Sequence, residues 1–313
     1  MTQAHLRVGT FTPSLLIDLA RSTGRLAAAG LVVTETPVPS SPAQFRALED
    51  GTFDVVMTSP DNVLAYRFLS INPLGHNVPV KILAGVDRGL GLSLWLAPTI
   101  LDVADVRGRV VGVDVPQSGF AFVAFELLER AGLHRDDYTV ESMGSTPRRA
   151  AALAEGGCVA TVLNAGNELR ASTAGCRVVS TVADIGPYLG TVIATLPVDD
   201  PQIAEPRTRL AEAVVDTADE IVTGGLQDEV VEAARRLLGL ATPQARAHLD
   251  CLLDRTHGLI SDGQVDEASI TTLIELRRRH SPSAELDEVA SAWSTMLAGS
   301  SGYIAGARGE LHH

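Results

Sequence analysis

Short β-rich runs alternate with amphipathic helical runs along the first part of the chain. The strands predicted for this first unit lie at 6–11, 31–38, 54–59 and 80–86. Helices are predicted between them, because apolar residues recur there at helical spacing, at 13–29, 42–50 and 60–69. This alternation of strands and helices favours a parallel sheet covered by helices.

A second unit with the same rhythm begins after residue 87. Its strands are predicted at 92–98, 110–115, 138–144, 159–164 and 176–182, and a last strand at 190–198. Its helices are predicted at 118–131 and 147–155. Beyond residue 200 the pattern is helical throughout, with glycine or proline breaks at 224–225, 242–243, 258 and 281–282.

Two such units and a helical tail can be arranged in two ways. They can form three consecutive segments, or the chain can cross to the second unit and return to the first. Glycine-containing links at 87–91 and 186–190 favour two crossings, which would form a hinge. We therefore predict a discontinuous first lobe (1–88 plus 190–313, with residues 200–300 packing back on it) and a second lobe (89–189). A cleft between such lobes is a natural ligand site.

Three predicted helices open with a hydroxyl residue followed by proline, which suits the N-cap and the first helical position. These starts are Thr12-Pro13, Ser41-Pro42 and Ser59-Pro60. Parallel strands end at one edge of a sheet, and free N–H groups at helix starts attract anions. Either these are ordinary caps, or they line a cleft with a similar start at 117–119. In the second case the site comprises Thr10, Phe11, Thr12, Ser59, Asp61, Asn62, Gln117, Ser118, Gly119 and Asn164.

Asp61 leaves two interpretations open. A carboxylate facing the cleft would select for a cation or a hydroxyl donor. Alternatively, Asp61 lies in the first turn of its helix and complements the helix dipole.

The composition argues against two classes of binding partner. The chain has 38 Asp and Glu against 25 Lys and Arg, a formal net charge of −13. Such a chain is a poor binder of nucleic acid and of anionic membrane surfaces. Its three cysteines have no zinc-site spacing, and no motif for a cofactor is present. We expect no metal and no cofactor.

Motifs of known catalytic sites are also missing, including the nucleophile elbow, the P-loop and the paired histidines of zinc proteases. An enzyme on this scaffold would have to rely on His76, Asp61 and Arg67. No signal-peptide pattern opens the chain, which predicts a cytoplasmic protein, or an exported one if a leader was removed. No apolar stretch approaches the roughly 20 residues that a membrane helix needs.

Four segments of the chain form a family pattern by their order and spacing: LRVGTFTPSLLIDLARSTGRLAAAGLVV (6–33), LEDGTFDVVMTSPDNVLAYR (48–67), DVADVRGRVVGVDVPQSGFAFVAFELLERAGL (102–133) and RRAAALAEGGCVATVLN (148–164). They resemble the nitrate/sulfonate/taurine substrate-binding family, whose members have a periplasmic-binding-protein type 2 fold. The similarity covers about residues 6–200. Their order and spacing are more specific for the fold than for the ligand.

The resemblance implies a two-lobed α/β clamp with a helical C-terminal segment. It places ligand contacts at residues 10–12, 59–62 and 118–120, which adds Phe120, and at Asn164. It also implies an ABC permease as partner. A related aryl-sulfinate desulfinase has a nucleophilic cysteine in the first strand–helix loop, and a related thiamine-precursor synthase has a cysteine-rich motif. This chain has neither.

Two functions remain open at this point. The first is a non-catalytic protein that binds a small polar or anionic organic compound, of the ABC-transporter substrate-binding type. The alternative is a cytoplasmic lyase or hydrolase of a small aromatic or sulfur compound on the same scaffold.

Overall fold

Every predicted strand forms, and the ten strands assemble into two five-stranded sheets. The computed structural model describes residues 3–299. Residues 1–2 and 300–313, which we predicted to belong to the first lobe, lie outside this described range. The strands are β1 (Ala4–Thr10), β2 (Leu31–Pro37), β3 (Val55–Thr58), β4 (Lys81–Asp87), β5 (Ser93–Leu96), β6 (Val110–Val113), β7 (Thr139–Ser142), β8 (Ala160–Leu163), β9 (Arg177–Thr181) and β10 (Thr191–Thr195).

Twelve α-helices occur in the described part of the chain. They are α1 (Leu15–Ser22), α2 (Arg25–Ala28), α3 (Ser41–Glu49), α4 (Pro60–Phe68), α5 (Gly119–Arg130), α6 (Thr146–Glu155), α7 (Asn167–Thr173), α8 (Pro201–Val222), α9 (Gln227–Leu238), α10 (Thr242–Leu253), α11 (Glu267–His280) and α12 (Glu285–Ala292).

The first sheet has the strand order β2-β1-β3-β10-β4, and the second has the order β7-β6-β8-β5-β9. The predicted parallel pairing is found among β1, β2 and β3, but β10 runs antiparallel to both of its neighbours. In the second sheet β5 is likewise antiparallel to β8 and β9. The reason lies in where these strands begin. Strand β4 ends at the edge where the chain crosses between the two sheets, and β5 and β10 each start at that edge, so both run away from it.

The two predicted crossings lie side by side. The backbone N–H of Gly190 donates to the carbonyl of Asp87 at 2.9 Å. The carboxylate of Asp87 accepts from the N–H of Gly89 at 2.8 Å. The chain therefore enters and leaves the second sheet at one point.

The predicted starts of two helices and the predicted continuity of one of them are wrong. The helix predicted over 13–29 splits into α1 and α2, because Gly24 adopts a φ of 80°. Its N-cap is Ser14, two residues after Thr12, since the carboxylate of Glu35 accepts from the Thr10 hydroxyl and the Ser14 N–H and holds the intervening loop. The cap of α3 is Ser40, one residue before the predicted Ser41.

The C-terminal helices pack against helices that cover both sheets. We had predicted that residues 200–300 pack back on the first lobe. Helix α11 packs against α5 of the second sheet, and α12 packs against α4 of the first. A single apolar cluster contains side chains from both sheets and from α11, such as Val56, Leu94 and Leu273. A second cluster lies between the first sheet and helices α1, α8 and α9. The tail thus packs against elements of both units.

A candidate ligand cavity at the helix starts

A cavity lies among the loops that follow strands of both sheets. The space open to the centres of water molecules is about 140 Å³. Since one water centre needs roughly 10–15 Å³, a small organic molecule fits. Its polar wall is formed by Thr10, Thr12, Ser14, Ser40, Ser41, Thr58, Ser59, Asn62, Ser118, Ser145, Thr146, Asn164 and Thr191.

Five helices begin on the wall of this cavity, and each has a serine as its N-cap residue. The caps of α1, α3, α4, α5 and α6 are Ser14, Ser40, Ser59, Ser118 and Ser145. In the first four, the serine hydroxyl accepts from a backbone N–H of the first turn. Each helix start carries about half a positive charge, so their convergence favours negative or strongly polar groups in the cavity.

Nearly all residues of the predicted site lie on this wall. They are Thr10, Phe11, Thr12, Ser59, Asn62, Ser118, Gly119, Phe120 and Asn164. The two exceptions are Asp61 and Gln117. The side chain of Gln117 is exposed, and only its carbonyl has a described partner, Nη2 of Arg277 at 3.3 Å.

Asp61 points away from the cavity into a buried ion pair. Its two carboxylate oxygens accept from Nε and Nη2 of Arg277 at 2.5 and 2.7 Å. Both side chains are almost fully buried, with exposed fractions of 1% and 2%. Asp61 does lie in the first turn of α4, as the second interpretation held, but its principal partner is a guanidinium from α11.

Gly119 is needed because α5 approaches α4 closely. A Cβ at this position would lie 2.6 Å from Cβ of Asp61. Real Cβ atoms do not come so near, so any side chain at residue 119 would move the two helix starts apart. The glycine therefore sets the separation of two caps on the cavity wall, Ser59 and Ser118.

Charged groups that the sequence analysis did not identify also lie on the wall. Burial raises the pKa of Asp87 to about 6, although the N–H of Gly89 favours the carboxylate. Burial also raises the pKa of Asp114, which accepts from the Ser118 hydroxyl, while nearby Arg149 opposes that rise. These carboxylates temper the positive field of the helix starts.

Arg149 is the cationic side chain of the wall. It is 1% exposed, and its guanidinium donates to the carbonyls of Gly144 and Val162 at 2.5 and 3.3 Å and to the hydroxyl of Thr146 at 3.1 Å. Burial lowers its pKa, yet a guanidinium stays charged. The sequence contains a signal for the burial of this residue. Arg149 lies four residues before the buried Leu153, and therefore on the same face of α6.

The wall also carries apolar side chains. They come from strands, helices and loops of both units: Phe11, Leu15, Leu16, Met57, Val86, Leu90, Phe120, Ala165, Leu238, Leu252 and Leu259. The cavity therefore offers both polar and apolar groups to one occupant.

The candidate residues of an enzymatic reaction are not on this wall. His76 is exposed and contacts Oε1 of Glu49 at 2.8 Å, and this hydrogen bond raises the pKa of the imidazole. Arg67 donates to the carbonyl of Val80 at 3.2 Å. Together with Asp61, these residues do not converge on the cavity.

A group that could hold a metal occurs elsewhere. Among the described residues, one group of this kind consists of Glu126, Glu129 and His280. Each of them offers one ligand atom, and these atoms lie within 4.8 Å of one another. However, the carboxylate of Glu126 already accepts from Arg130 and from Arg279 at 2.8 Å. These two guanidinium groups oppose a bound cation, so the cluster is better described as an ion-pair network between α5 and α11.

Solved structures resemble this arrangement closely. A Candida albicans gene product with the generic periplasmic binding protein fold has a TM-score of 0.72 at 16% identity, over 95% of this chain and 97% of that one. The nitrate-binding protein NrtA of Synechocystis PCC 6803 has a TM-score of 0.71 at 14% identity, over 92% and 85%. The alkanesulfonate-binding protein SsuA of Xanthomonas axonopodis pv. citri, bound to MOPS, has a TM-score of 0.70 at 15% identity, over 90% and 95%.

These comparisons identify the fold. The chain has the periplasmic binding protein fold, with two sheets and a helical C-terminal segment, as the resemblance in the sequence implied. No protein-family model and no curated protein matches the chain. Within residues 3–299, no helix combines the length and apolar character needed to cross a membrane.

Proposed function

We propose that this protein binds a small polar or anionic organic molecule in the cavity and acts as the substrate-binding component of an ABC-type transporter. The observation that carries the proposal is the convergence of five serine-capped helix starts on one cavity. Structural neighbours named for sulfonate and nitrate binding support it.

The ligand contacts in this proposal are the sequence-predicted residues that line the cavity. The hydroxyl groups of Thr10, Thr12, Ser59 and Ser118, the amide of Asn62 and the N–H groups of Gly119 and Phe120 hold the polar end of the ligand. Asn164 contributes an amide from the loop after β8. Phe11 and Phe120 cover the apolar part.

Closure of two lobes around the ligand is part of the proposal. The lobes are residues 1–88 with 190–313 and residues 89–189, and they move about the adjacent crossings at 87–91 and 186–190. Contacts between loops of the two units, such as the Ser145 N–H donating to the carbonyl of Pro39 at 3.1 Å, would form and break in this motion.

The cellular location separates two roles for the same binding site. An exported protein would deliver its ligand to an ABC permease, whereas a cytoplasmic one would use the ligand in catalysis or sensing. Fractionation of cells that express the natural gene, with detection by antibody, distinguishes these roles.

A thermal-shift screen tests the binding function itself. Sulfonates, carboxylates, amines and pyrimidines would be added to the purified protein. A true ligand present at a hundred times its Kd stabilises the folded state by about 2.7 kcal/mol and raises the melting temperature. If a broad library leaves the melting temperature unchanged and turnover of some compound is found, the binding proposal is wrong.

A further inference from the structure

A histidine from the C-terminal segment lies on the cavity wall beside apolar side chains. His248 belongs to α10, outside the segments that carry the family resemblance, and its neighbours on the wall include Leu238 and Leu252. Its Nδ1 atom lies 3.6 Å from the place that a Cβ on Gly166 would take. The side chain therefore stands where α10 meets the loop after β8.

His248 lacks hydrogen-bond partners in the part of the chain that the structure describes. The residue is 3% exposed, and its Nδ1 atom is buried with no partner. Burial lowers the pKa of the imidazole to about 4, so the ring is neutral near pH 7. A neutral imidazole has one N–H donor and one acceptor nitrogen, and leaving such groups unpaired in an apolar place is unfavourable.

Packing alone does not explain this histidine. The buried residues of α10 are Ala245, His248 and Leu252, which form one face of the helix at positions three and four apart. An aliphatic side chain at position 248 would fill the same face without an unpaired polar atom. An occupant of the cavity, by contrast, would meet the imidazole directly.

We propose that His248 forms a hydrogen bond with a hydroxyl or carbonyl group at the apolar end of the ligand. The ligand is then a compound with an acidic or strongly polar head at the helix starts, an apolar body, and a second polar group that reaches His248. This inference rests on the proposed function, because it assigns the ligand class of the same cavity.

Paired probes test this assignment. Benzenesulfonate is compared with 4-hydroxybenzenesulfonate, and benzoate with 4-hydroxybenzoate, together with further acid pairs that differ only in a hydroxyl group at the far end. Affinities are measured by titration calorimetry for the wild type, His248→Leu and His248→Gln. The control is His257→Leu, a histidine that does not line this cavity.

For the wild type and for His257→Leu, we expect the hydroxylated member of a bound pair to bind about tenfold more tightly, the worth of one satisfied hydrogen bond. In His248→Leu that preference disappears while the parent acid still binds. In His248→Gln it is retained in part, because the amide can also donate and accept. A merely structural role would change both members of a pair equally.

Two failures are distinguishable. If acids bind but the preference is the same in the wild type and in His248→Leu, the assignment of His248 is overturned while the binding function stands. The same holds if His248→Leu raises the melting temperature and leaves the affinity ratio unchanged, since the imidazole is then only an unpaired buried group that lowers stability. If no acid of any pair binds the wild type, the proposed function fails and this inference fails with it.

Discussion

At the scale of single residues, Asp61 shows how a polar residue beside a cavity can have its principal partner in a distant part of the sequence. The sequence places it in a helix start beside Ser59, and that position suggested a ligand contact. Its true partner, Arg277, lies on α11 and arrives from the far end of the chain. No local pattern indicates such a pair, because neither residue is unusual in its own helix.

Removing one member of this pair should be costly. We expect Asp61→Asn to lower the free energy of unfolding by about 3–5 kcal/mol, because Arg277 is left buried without a counter-charge. The exposed pair of Arg278 with Asp287 provides the control, and Asp287→Asn should barely change stability. Urea unfolding followed by circular dichroism measures both, and equal effects of the two variants would contradict the prediction.

The buried carboxyl group of Glu168 predicts that the stability of the protein depends on pH. Burial raises the pKa of its carboxyl to about 8, and Oε2 has no hydrogen-bond partner among the described residues. The folded protein therefore holds this proton more tightly than the unfolded chain, in which the group titrates near 4.5. Between these two values the stability contributed by Glu168 falls as the pH rises.

Glu168→Gln should remove this penalty. Because one unit of pKa is worth about 1.4 kcal/mol, the variant should be more stable than the wild type at pH 9 by several kcal/mol, and the difference should be small at pH 4. The exposed Glu155→Gln is the matched control. Urea midpoints from pH 4 to 9 measure the effect, and a difference independent of pH would refute the explanation.

At the scale of elements, the cavity is made by helix starts, and these were largely visible in the sequence. Strand–hydroxyl–proline patterns identified Ser59 correctly, and the similar start at 117–119 identified Ser118. The predicted caps Thr12 and Ser41 lie two residues and one residue away from the observed caps. The contacts of Glu35 and the local turns decide where a helix begins. His248 could not be identified, since a lone histidine in a helical tail carries no signal for a cavity.

The close approach of α4 and α5 can be tested by a single methyl group. Gly119→Ala places a Cβ against Asp61, so we expect the helix starts to separate and the thermal shift produced by any compound from the screen to decrease at least several-fold. Gly157→Ala is the control, because a Cβ there would make only ordinary contacts, 3.4 Å or longer. Equal thermal shifts in both variants would show that the spacing at Gly119 does not matter for binding.

At the scale of the whole molecule, the strand rhythm of the sequence was sufficient to predict two α/β units and the positions of their ten strands. The direction of β5 and β10 was not predictable from periodicity, since an antiparallel strand and a parallel strand bury the same residues. The contacts of α11 with α5 include ion pairs such as Arg279 with Glu126, which join residues distant in sequence. Periodicity therefore predicts elements better than it predicts how they pack.

Ligand binding should change the shape of the protein. If the two units close about the crossings, small-angle scattering will show a smaller radius of gyration in the presence of a compound found by the screen, with an unchanged far-ultraviolet circular dichroism spectrum. A compound from the same screen that produces no thermal shift serves as the control. An unchanged radius of gyration with a bound ligand would mean that the cavity is open to its ligand without domain motion.

The position of β10 has a consequence for biosynthesis. Strands β3 and β4 are not neighbours, because β10 lies between them and pairs with both. A ribosome therefore completes the whole second unit before it makes the strand that joins the parts of the first. Until then β3 and β4 present unpaired backbone edges, the kind of surface on which nascent chains aggregate and which chaperones shield.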